Sequence, residues 1–105
     1  MGNKASIAAG GLPLSEKDFR QQVLDLARVL GWECYFTWGS LHSPSGFPDL
    51  VMARLSRLII AELKSEKGVL SEAQEKWLEL LRGTGKCDVY LFRPSDWDEI
   101  VEILR

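Results

Sequence analysis

The sequence predicts one α/β domain in which a mixed sheet is flanked by helices. Three segments carry apolar residues at helical spacing, and each begins just after a serine that can cap a helix. Four shorter segments, rich in aromatic or aliphatic residues, predict strands. The first three strands should form a meander, whereas the fourth follows a helix and should pair in parallel with the third. The predicted order is α-β-β-β-α-β-α within 105 residues, which is enough for one hydrophobic core.

The N-terminal third should consist of an arm and the first helix. Residues 1–14 lack periodicity and predict a flexible arm, so the single domain is expected at residues 15–105. Ser15 and Asp18 have the spacing of a capping box, which places the start of the helix after Ser15. Gly31 should end the helix in a left-handed conformation. The expected buried face follows steps of four, three and four and comprises Phe19, Val23, Leu26 and Leu30.

Three strands are expected at residues 32–38, 49–55 and 58–64. Aromatic side chains dominate the first strand, as is typical of sheets. The third contains Leu58-Ile59-Ile60-Ala61, a continuous apolar run that indicates burial on both faces. Residues 39–47 form a polar loop, and Ser56-Arg57 is the expected tight turn between the second and third strands.

The C-terminal half should hold a helix, a strand and a last helix. Ser71 with Gln74 forms a second capping box, and glycines at 83 and 85 end that helix. The fourth strand is expected at residues 87–92. Ser95 with Asp98 marks the start of the last helix, at residues 96–104. The expected buried face of the second helix comprises Ala73, Trp77, Leu80 and Leu81.

Composition and charge exclude several function classes. The hydrophobic fraction is 46% and the charged fraction 27%, which are ordinary values for a soluble protein. No apolar run approaches the roughly 20 residues of a membrane helix, and residues 1–11 do not resemble a signal peptide, so we expect a cytoplasmic protein. With two cysteines and one histidine, a zinc cluster of those residues is excluded. The net charge of −2 argues against a passive nucleic-acid-binding module, but less against a nuclease whose metal restores positive charge.

Three charged residues are expected to converge on one site. Glu62 and Lys64 are two residues apart on a strand and therefore point to the same face. Asp49 opens the preceding strand, and in an antiparallel hairpin the start of one strand lies beside the end of the other. Two carboxylates suit Mg²⁺ or Mn²⁺, which would polarise a phosphoryl oxygen. The Lys64 ammonium could stabilise charge on the phosphate or orient the attacking water.

Ordinary structural roles compete with this interpretation. Asp49 could end a turn after Pro48, and Glu62 with Lys64 could form a strand-end ion pair. Such a role explains any one of the three residues as well as catalysis does. It explains their combined placement on adjacent strands much less well.

The sequence resembles a known family. Pro48-Asp49 followed by Glu62-Leu63-Lys64 resembles the PD-(D/E)xK nuclease superfamily, and the wider pattern over residues 15–105 resembles its VRR-NUC branch of stand-alone phage and bacterial type. The resemblance implies a restriction-endonuclease-like αβββαβ core, in agreement with the order derived above, and a metal-dependent nuclease. The wider pattern consists of Glu16 with Phe19, Gly31-Trp32, Gly46-Phe47-Pro48-Asp49-Leu50, Glu62-Leu63-Lys64, Leu70-Ser71 with Gln74 and Trp77, and Arg93-Pro94.

The resemblance also implies roles for individual residues. Asp49 and Glu62 match the metal-binding acids, Lys64 the catalytic lysine, and the Leu63 carbonyl a further metal ligand. Glu16 matches an acid that helps hold metal in related resolvases, although an acid in a first helical turn is also explained by the helix dipole. Gln74 matches a motif residue near the active site, and its role in the capping box explains it equally well.

The remaining polar candidates have stronger structural explanations. His42 lies in the polar loop and is expected at the surface rather than on substrate. Arg54, Arg57 and Lys67 could contact phosphates, but solvated charge is the simpler interpretation. Trp77 lies on the predicted apolar helix face, which argues against base stacking by its ring.

The leading hypothesis is therefore an endonuclease that cuts DNA with Mg²⁺ or Mn²⁺. Relatives in the resembled family act on branched DNA, so a four-way junction or a flap is the expected substrate, as for Holliday junction resolvases. Symmetric cutting of a junction needs two sites, which predicts a homodimer. The alternative is a non-catalytic DNA-binding or partner-binding module that retains the fold. A third interpretation is a nuclease active only when replication or repair proteins recruit it.

Overall fold

A four-stranded mixed sheet with helices on both faces forms the architecture. The computed structural model describes residues 13–37 and 42–105. The strand order is β1-β2-β3-β4, which confirms the predicted α/β fold and order of elements. The elements are α1 (Glu16–Val29), β1 (Glu33–Phe36), β2 (Leu50–Arg54), β3 (Arg57–Leu63), α2 (Glu72–Gly83), β4 (Asp88–Phe92) and α3 (Trp97–Leu104), the last preceded by a 3₁₀ turn (Pro94–Asp96).

The strand pairing follows the prediction, and the hairpin turn is shifted by one residue. β1 pairs with β2 and β2 with β3 in antiparallel fashion, whereas β3 and β4 are parallel. The turn between β2 and β3 is Leu55-Ser56 rather than Ser56-Arg57, because Arg57 pairs with Arg54 in the ladder. Leu55 adopts a positive φ of 55° there.

Alternation along the strands separates the sheet into two faces. On the face that we call the core face, the strands pack against α1 and α3. The opposite face, covered by α2, buries Ile60 and Glu62 of β3 together with Leu78 of α2 and Val89 of β4. β3 is therefore buried on both faces, as its apolar run predicted. The core face consists of Leu50, Met52, Ile59, Ala61, Leu63 and Phe92 from the strands, with Phe19, Val23, Leu24, Ala27, Ile100 and Leu104 from the helices.

The first helix has the predicted caps and a slightly different buried stripe. The Ser15 hydroxyl accepts a hydrogen bond from Asp18 N at 3.1 Å, and Gly31 has a φ of +89°. Phe19 and Val23 are buried as predicted. Leu24 and Ala27 complete the stripe, while Leu26 and Leu30 are only partly buried. At about 100° per residue, the predicted positions lie within about 60° of one another, whereas the buried positions span about 140°. The buried stripe is therefore wider than predicted and is rotated toward Leu24 and Ala27.

The predicted buried face of α2 is wrong for Leu80 and omits Leu78. Leu78 is the buried residue of this helix, whereas Leu80 is 55% exposed and Trp77 is half-buried. The Trp77 ring packs edge-on against Phe47, with ring centroids 5.1 Å apart. This side of α2 faces the loop before β2 instead of the sheet, which a helical pattern alone does not distinguish.

The start of α3 also differs from the prediction. The helix begins at Trp97, and Ser95 does not cap it. Instead Ser95 N and Ser95 Oγ donate to the Glu66 carboxylate, at 2.8 and 2.6 Å. A tertiary partner therefore takes the side chain that the sequence pattern assigned to a capping box.

Arg54 and Arg57 bind the C-terminal end of α3. Arg54 Nη1 donates to the carbonyls of Leu30 and Leu104 at 3.0 Å each, and Arg57 Nη2 donates to Ile103 O at 2.8 Å. Both guanidinium groups lie over the Trp32 ring, 4.5 and 5.0 Å from its centroid. They satisfy carbonyls that a helix end leaves unpaired. The sequence suggested solvated charges or phosphate contacts for Arg54 and Arg57. In the structure, both side chains instead hold backbone carbonyls.

Parts of two predictions lie outside the described residues. These are residues 1–12 of the expected arm and residues 38–41, which include Trp38 and Ser40. Leu14, which the prediction placed in the arm, is 5% exposed and belongs to the core. Over the described ranges, no helix has both the length and the hydropathy that crossing a membrane requires.

Candidate functional site

Asp49 and Glu62 meet across the β2–β3 hairpin. Leu50 pairs with Ala61, so Asp49 lies opposite Glu62 at the end of the ladder. Asp49 N donates to Glu62 Oε1 at 3.2 Å, and Leu63 N donates to Asp49 Oδ2 at 3.0 Å. Each carboxylate is thus held by a backbone amide of the other strand. The convergence expected from the strand pairing is present.

Glu62 is a buried carboxyl group. It is 1% exposed, and the only polar or charged residue buried to this extent in the described part of the chain. Burial, followed by the neighbouring Asp49 charge and a hydrogen bond to Asp49, raises the pKa of Glu62 to about 8, and the Lys64 charge partly opposes this. Without a cation, burial and the Asp49 charge therefore both disfavour the charged form of Glu62.

Lys64 follows β3 on the same face as Glu62. Its amide N extends the parallel ladder by donating to Phe92 O at 3.1 Å. Ion pairs among the described residues are limited to Arg20–Glu16 and Arg105–Glu102, so Glu62 and Lys64 do not form the strand-end pair considered from sequence. The ammonium is half-buried and close enough to Glu62 to act on its charge.

The loop after Lys64 is held by a residue whose role sequence reasoning missed. Arg93 Nη1 donates to the carbonyls of Ser65, Glu66 and Gly68, at 2.8, 3.2 and 2.7 Å. A Cβ added at Gly68 would come within 3.3 Å of Lys64 Cδ, so the loop packs against the lysine stem. Arg93 appeared in the sequence pattern only as part of the family resemblance. No local signal indicates that a guanidinium group joins three carbonyls some 25 residues away.

Gln74 performs both of the roles that the sequence left open. Its Oε1 accepts from Ser71 N at 2.9 Å, and its backbone N donates to Ser71 Oγ at 3.1 Å, which completes the capping box. Its Nε2 donates to Glu62 Oε2 at 3.0 Å. One amide therefore fixes the start of α2 and one carboxylate oxygen of the site.

The Gly46-Phe47-Pro48 segment brings Asp49 to the sheet. Gly46 has a φ of +94°, and a Cβ at this position would lie 2.6 Å from the backbone carbon of Ala73. Only glycine permits this approach to the first turn of α2. Pro48 is fully buried. The segment is thus locked between α2 and β2, and Asp49 starts in a defined position.

Glu16 lies apart from the carboxylate pair in this structure. It is on α1, which packs on the core face, and its Oε2 is 3.4 Å from Arg20 Nη2. Across residues 13–37 and 42–105, no group of three or more histidine, cysteine, aspartate or glutamate side chains is close enough to bind one ion. His42 and Lys67 are exposed and have no hydrogen bond to the site. The metal-binding role of Glu16 stays a prediction.

The donor set fits a hard divalent cation. Asp49 and Glu62 present carboxylate oxygens from adjacent strands, and the Leu63 backbone lies between Glu62 and Lys64. Mg²⁺ in proteins is commonly held by one or two carboxylates, with water and substrate phosphate completing its shell. A third acidic side chain is therefore not required. A cation here would also offset the burial and the Asp49 repulsion that together raise the pKa of Glu62.

Comparison with known proteins relates this geometry to a family. The sequence matches the VRR-NUC domain over residues 14–95. The structure is similar to that of Hjc, a Holliday junction resolvase from the archaeal hyperthermophile Archaeoglobus fulgidus, with a TM-score of 0.50 and 26% sequence identity. The similarity covers 71% of this chain and 64% of the resolvase, so it spans less than two thirds of that protein. A search of curated proteins found no match.

Proposed function

The chain belongs to the VRR-NUC domain family of PD-(D/E)xK nucleases, and from that premise we propose that it is a metal-dependent endonuclease acting on DNA. The observation that carries the proposal is the hydrogen-bonded pair of Asp49 and Glu62 beside Lys64. A pair of adjacent carboxylates, one of them buried, is unfavourable for folding alone. A bound cation would neutralise this repulsion, so the pair is expected at a site that binds a metal ion and a phosphodiester.

Asp49, Glu62 and the Leu63 carbonyl are the proposed ligands of Mg²⁺ or Mn²⁺, with Glu16 as a further candidate. When bound, the metal would supply Lewis acidity and neutralise charge on the phosphate. The chain's own contribution is to hold the ligands still. Asp49 Oδ2 is fixed by Leu63 N at 3.0 Å. Glu62 is fixed on one oxygen by Asp49 N and on the other by Gln74 Nε2.

Lys64 is the proposed catalytic cation. It is not engaged by a carboxylate within ion-pair distance, so its ammonium remains available to the phosphate or to the attacking water. Arg93 acts on it indirectly, because it fixes the loop against which the lysine stem packs. Gln74 orients Glu62 and is thereby a positioning residue for the metal site.

Branched DNA is the proposed substrate class. The similar solved structure is that of a Holliday junction resolvase, and a domain of this size has little additional surface for reading a base sequence. Symmetric cutting of a four-way junction requires two sites, and we therefore propose a homodimer. Recruitment by a replication or repair protein would add to substrate choice without changing the site.

The experiment is cleavage of labelled duplex, flap and four-way-junction DNA with Mg²⁺, Mn²⁺ or EDTA. We expect metal-dependent cleavage with a preference for branched DNA. Lys64→Ala should reduce the rate about 10²- to 10³-fold, the usual loss for a group that stabilises transition-state charge. Lys86→Ala, at an exposed lysine far from the site in sequence, is the matched control. Equal rates for Lys64→Ala and the control would exclude the proposed site.

Calorimetry with Mn²⁺ separates the enzyme from a non-catalytic module with the same fold. An enzyme of this design should bind Mn²⁺ in a manner that Asp49→Ala abolishes. Binding of branched DNA without cleavage and without Mn²⁺ binding would identify the protein as the non-catalytic module.

A further inference from the structure

An open groove with aromatic walls adjoins the candidate site on the α2 face. Its volume is about 560 Å³. Tyr35 is 68% exposed and Phe47 39% exposed, so both rings are accessible from solvent. The residues that define it are Tyr35, Thr37, Ser43, Pro44, Phe47 and Trp77.

The groove lies beside Asp49, one member of the carboxylate pair. Thr37 N donates to Asp49 O at 2.9 Å, so the edge strand β1 runs directly beside Asp49. Phe36 pairs with Leu50 on the core face, which places Tyr35 and Thr37 on the face of Asp49. On the other side, Phe47 precedes Asp49 by two residues. A phosphodiester bound at Asp49 would therefore have its neighbouring nucleotide over this groove.

The chemistry of the lining favours a nucleobase over a phosphate. The described residues that line the groove are aromatic, hydroxyl-bearing, proline or glycine, and none is charged. Phe47 is held edge-on against Trp77 at an interplanar angle of 74°, so its ring is preorganised. A positively charged residue, Lys76, lines the adjoining cavity that shares Pro44 and Trp77, where a strand backbone would leave the groove. Aromatic rings beside a cationic path are typical of single-strand binding.

We infer that this groove holds an unpaired nucleobase next to the scissile phosphodiester. The inference rests on the proposed nuclease function and narrows its substrate class. A base within a duplex has both faces covered by its neighbours and cannot enter. The substrate would be branched DNA with at least one unpaired nucleotide beside the cleavage point, such as a flap, and not a fully paired duplex.

A double-mutant cycle between protein and DNA tests this inference. The cleavage site is first mapped on a flap, and the adjoining unpaired nucleotide is then replaced by an abasic residue. We expect Tyr35→Ala and the abasic substitution each to lower kcat/KM about tenfold, the loss associated with one base–aromatic stack. Together they should lower it little further, because both remove the same contact. Leu55→Ala, at a 98% exposed residue in the β2–β3 turn, is the matched control.

A readout without cleavage uses 2-aminopurine at the same nucleotide and the Lys64→Ala variant. Stacking should quench its fluorescence on binding, and adding Tyr35→Ala should remove the quenching. Independent, multiplicative effects in the cycle would overturn the inference, as would no effect of Tyr35→Ala. A change in sedimentation with unchanged flap cleavage would identify the groove as a contact between two copies and also overturn it. Failure of the wild type to cleave any DNA would instead refute the proposed function.

Discussion

The two faces of the sheet are built by the same strands and differ in almost every other respect. On the core face, Met52, Ile59 and Leu63 are fully buried against α1 and α3. On the α2 face, neighbouring positions of β3 hold Ile60 and the buried Glu62, and the cover leaves an aromatic groove open at the edge strand. A single alternation of side chains therefore separates a sealed apolar layer from a polar site.

The difference has a physical cost that is confined to one face. The core face contributes stability through apolar burial. On the α2 face, Glu62 loses its hydration and is repelled by the neighbouring Asp49 carboxylate. Two hydrogen bonds to Glu62, from Asp49 N and Gln74 Nε2, offset part of that loss. We therefore expect substitutions on the core face to change stability, and substitutions on the α2 face to change chemistry.

The largest expected effect is loss of cleavage in Asp49→Asn. The amide keeps an oxygen that can accept from Leu63 N, but it removes the charge that attracts the metal. We expect the rate to fall by about 10³-fold or more, because metal catalysis contributes several kcal/mol. The melting temperature should stay within a few degrees of wild type. Asp88→Asn, at the exposed start of β4, should retain activity. A stable variant with full activity would show that Asp49 is not a ligand.

The complementary effect on the core face is loss of stability in Met52→Ala. Met52 is fully buried on β2 and pairs with Ile59, so truncation leaves a cavity. We expect the free energy of unfolding to fall by about 2–5 kcal/mol, measured by urea denaturation. Activity per folded molecule should be retained at low temperature. A loss of activity as large as that of Asp49→Asn, in a folded sample, would mean that the two faces are coupled.

A pH experiment isolates the cost of Glu62. Its pKa is about 8 in the folded, metal-free protein against an ordinary value of 4.5, so unfolding releases its proton between these values. The stability that the protonated form contributes is complete below pH 4.5 and is lost as the pH rises toward 8. Relative to Glu62→Gln, the metal-free wild type should lose up to about 1.4 kcal/mol per pH unit over this interval. Denaturation in EDTA at pH 5, 6, 7 and 8 measures the difference.

In the same experiment with saturating Mn²⁺, the free energy of unfolding of the wild type should rise with pH instead of falling, because metal binding favours the charged carboxylate. Glu62→Gln should not show this reversal. A difference between the two proteins that does not depend on pH would contradict the burial of Glu62 as the source of its altered pKa.

The smallest expected effect separates the two roles of Gln74. Gln74→Glu keeps an oxygen for Ser71 N but replaces the amide donor to Glu62 by a carboxylate. Ser71→Ala removes the cap and leaves the Glu62 contact. We expect both variants to lose about 1–2 kcal/mol of stability by urea denaturation. Only Gln74→Glu should also weaken Mn²⁺ binding by calorimetry. Equal Mn²⁺ affinity in Gln74→Glu and Ser71→Ala would show that Gln74 acts only as a capping residue.

The order of elements and the meeting of Asp49 with Glu62 can be read from the amino-acid sequence alone. Both follow from local rules: periodicity identifies helices and strands, and an antiparallel hairpin brings the start of β2 beside the end of β3. The N-cap at Ser15 and the capping box at Ser71 were also readable, because their partners lie three residues away. These features depend on neighbours along the chain.

Contacts between segments that are distant in the sequence became visible in the three-dimensional structure. Ser95 has the local pattern of a helix cap but bonds Glu66, and Arg93 holds the loop after Lys64. The apolar stripe of α2 was visible in the sequence, yet its exposure beside Phe47 was not. A stripe specifies that a helix has an apolar side, and the packing of distant segments specifies what covers it. The carboxylate pair and the nearby Gln74 could thus be predicted from the chain, whereas the role of Arg93 and the adjoining groove could not.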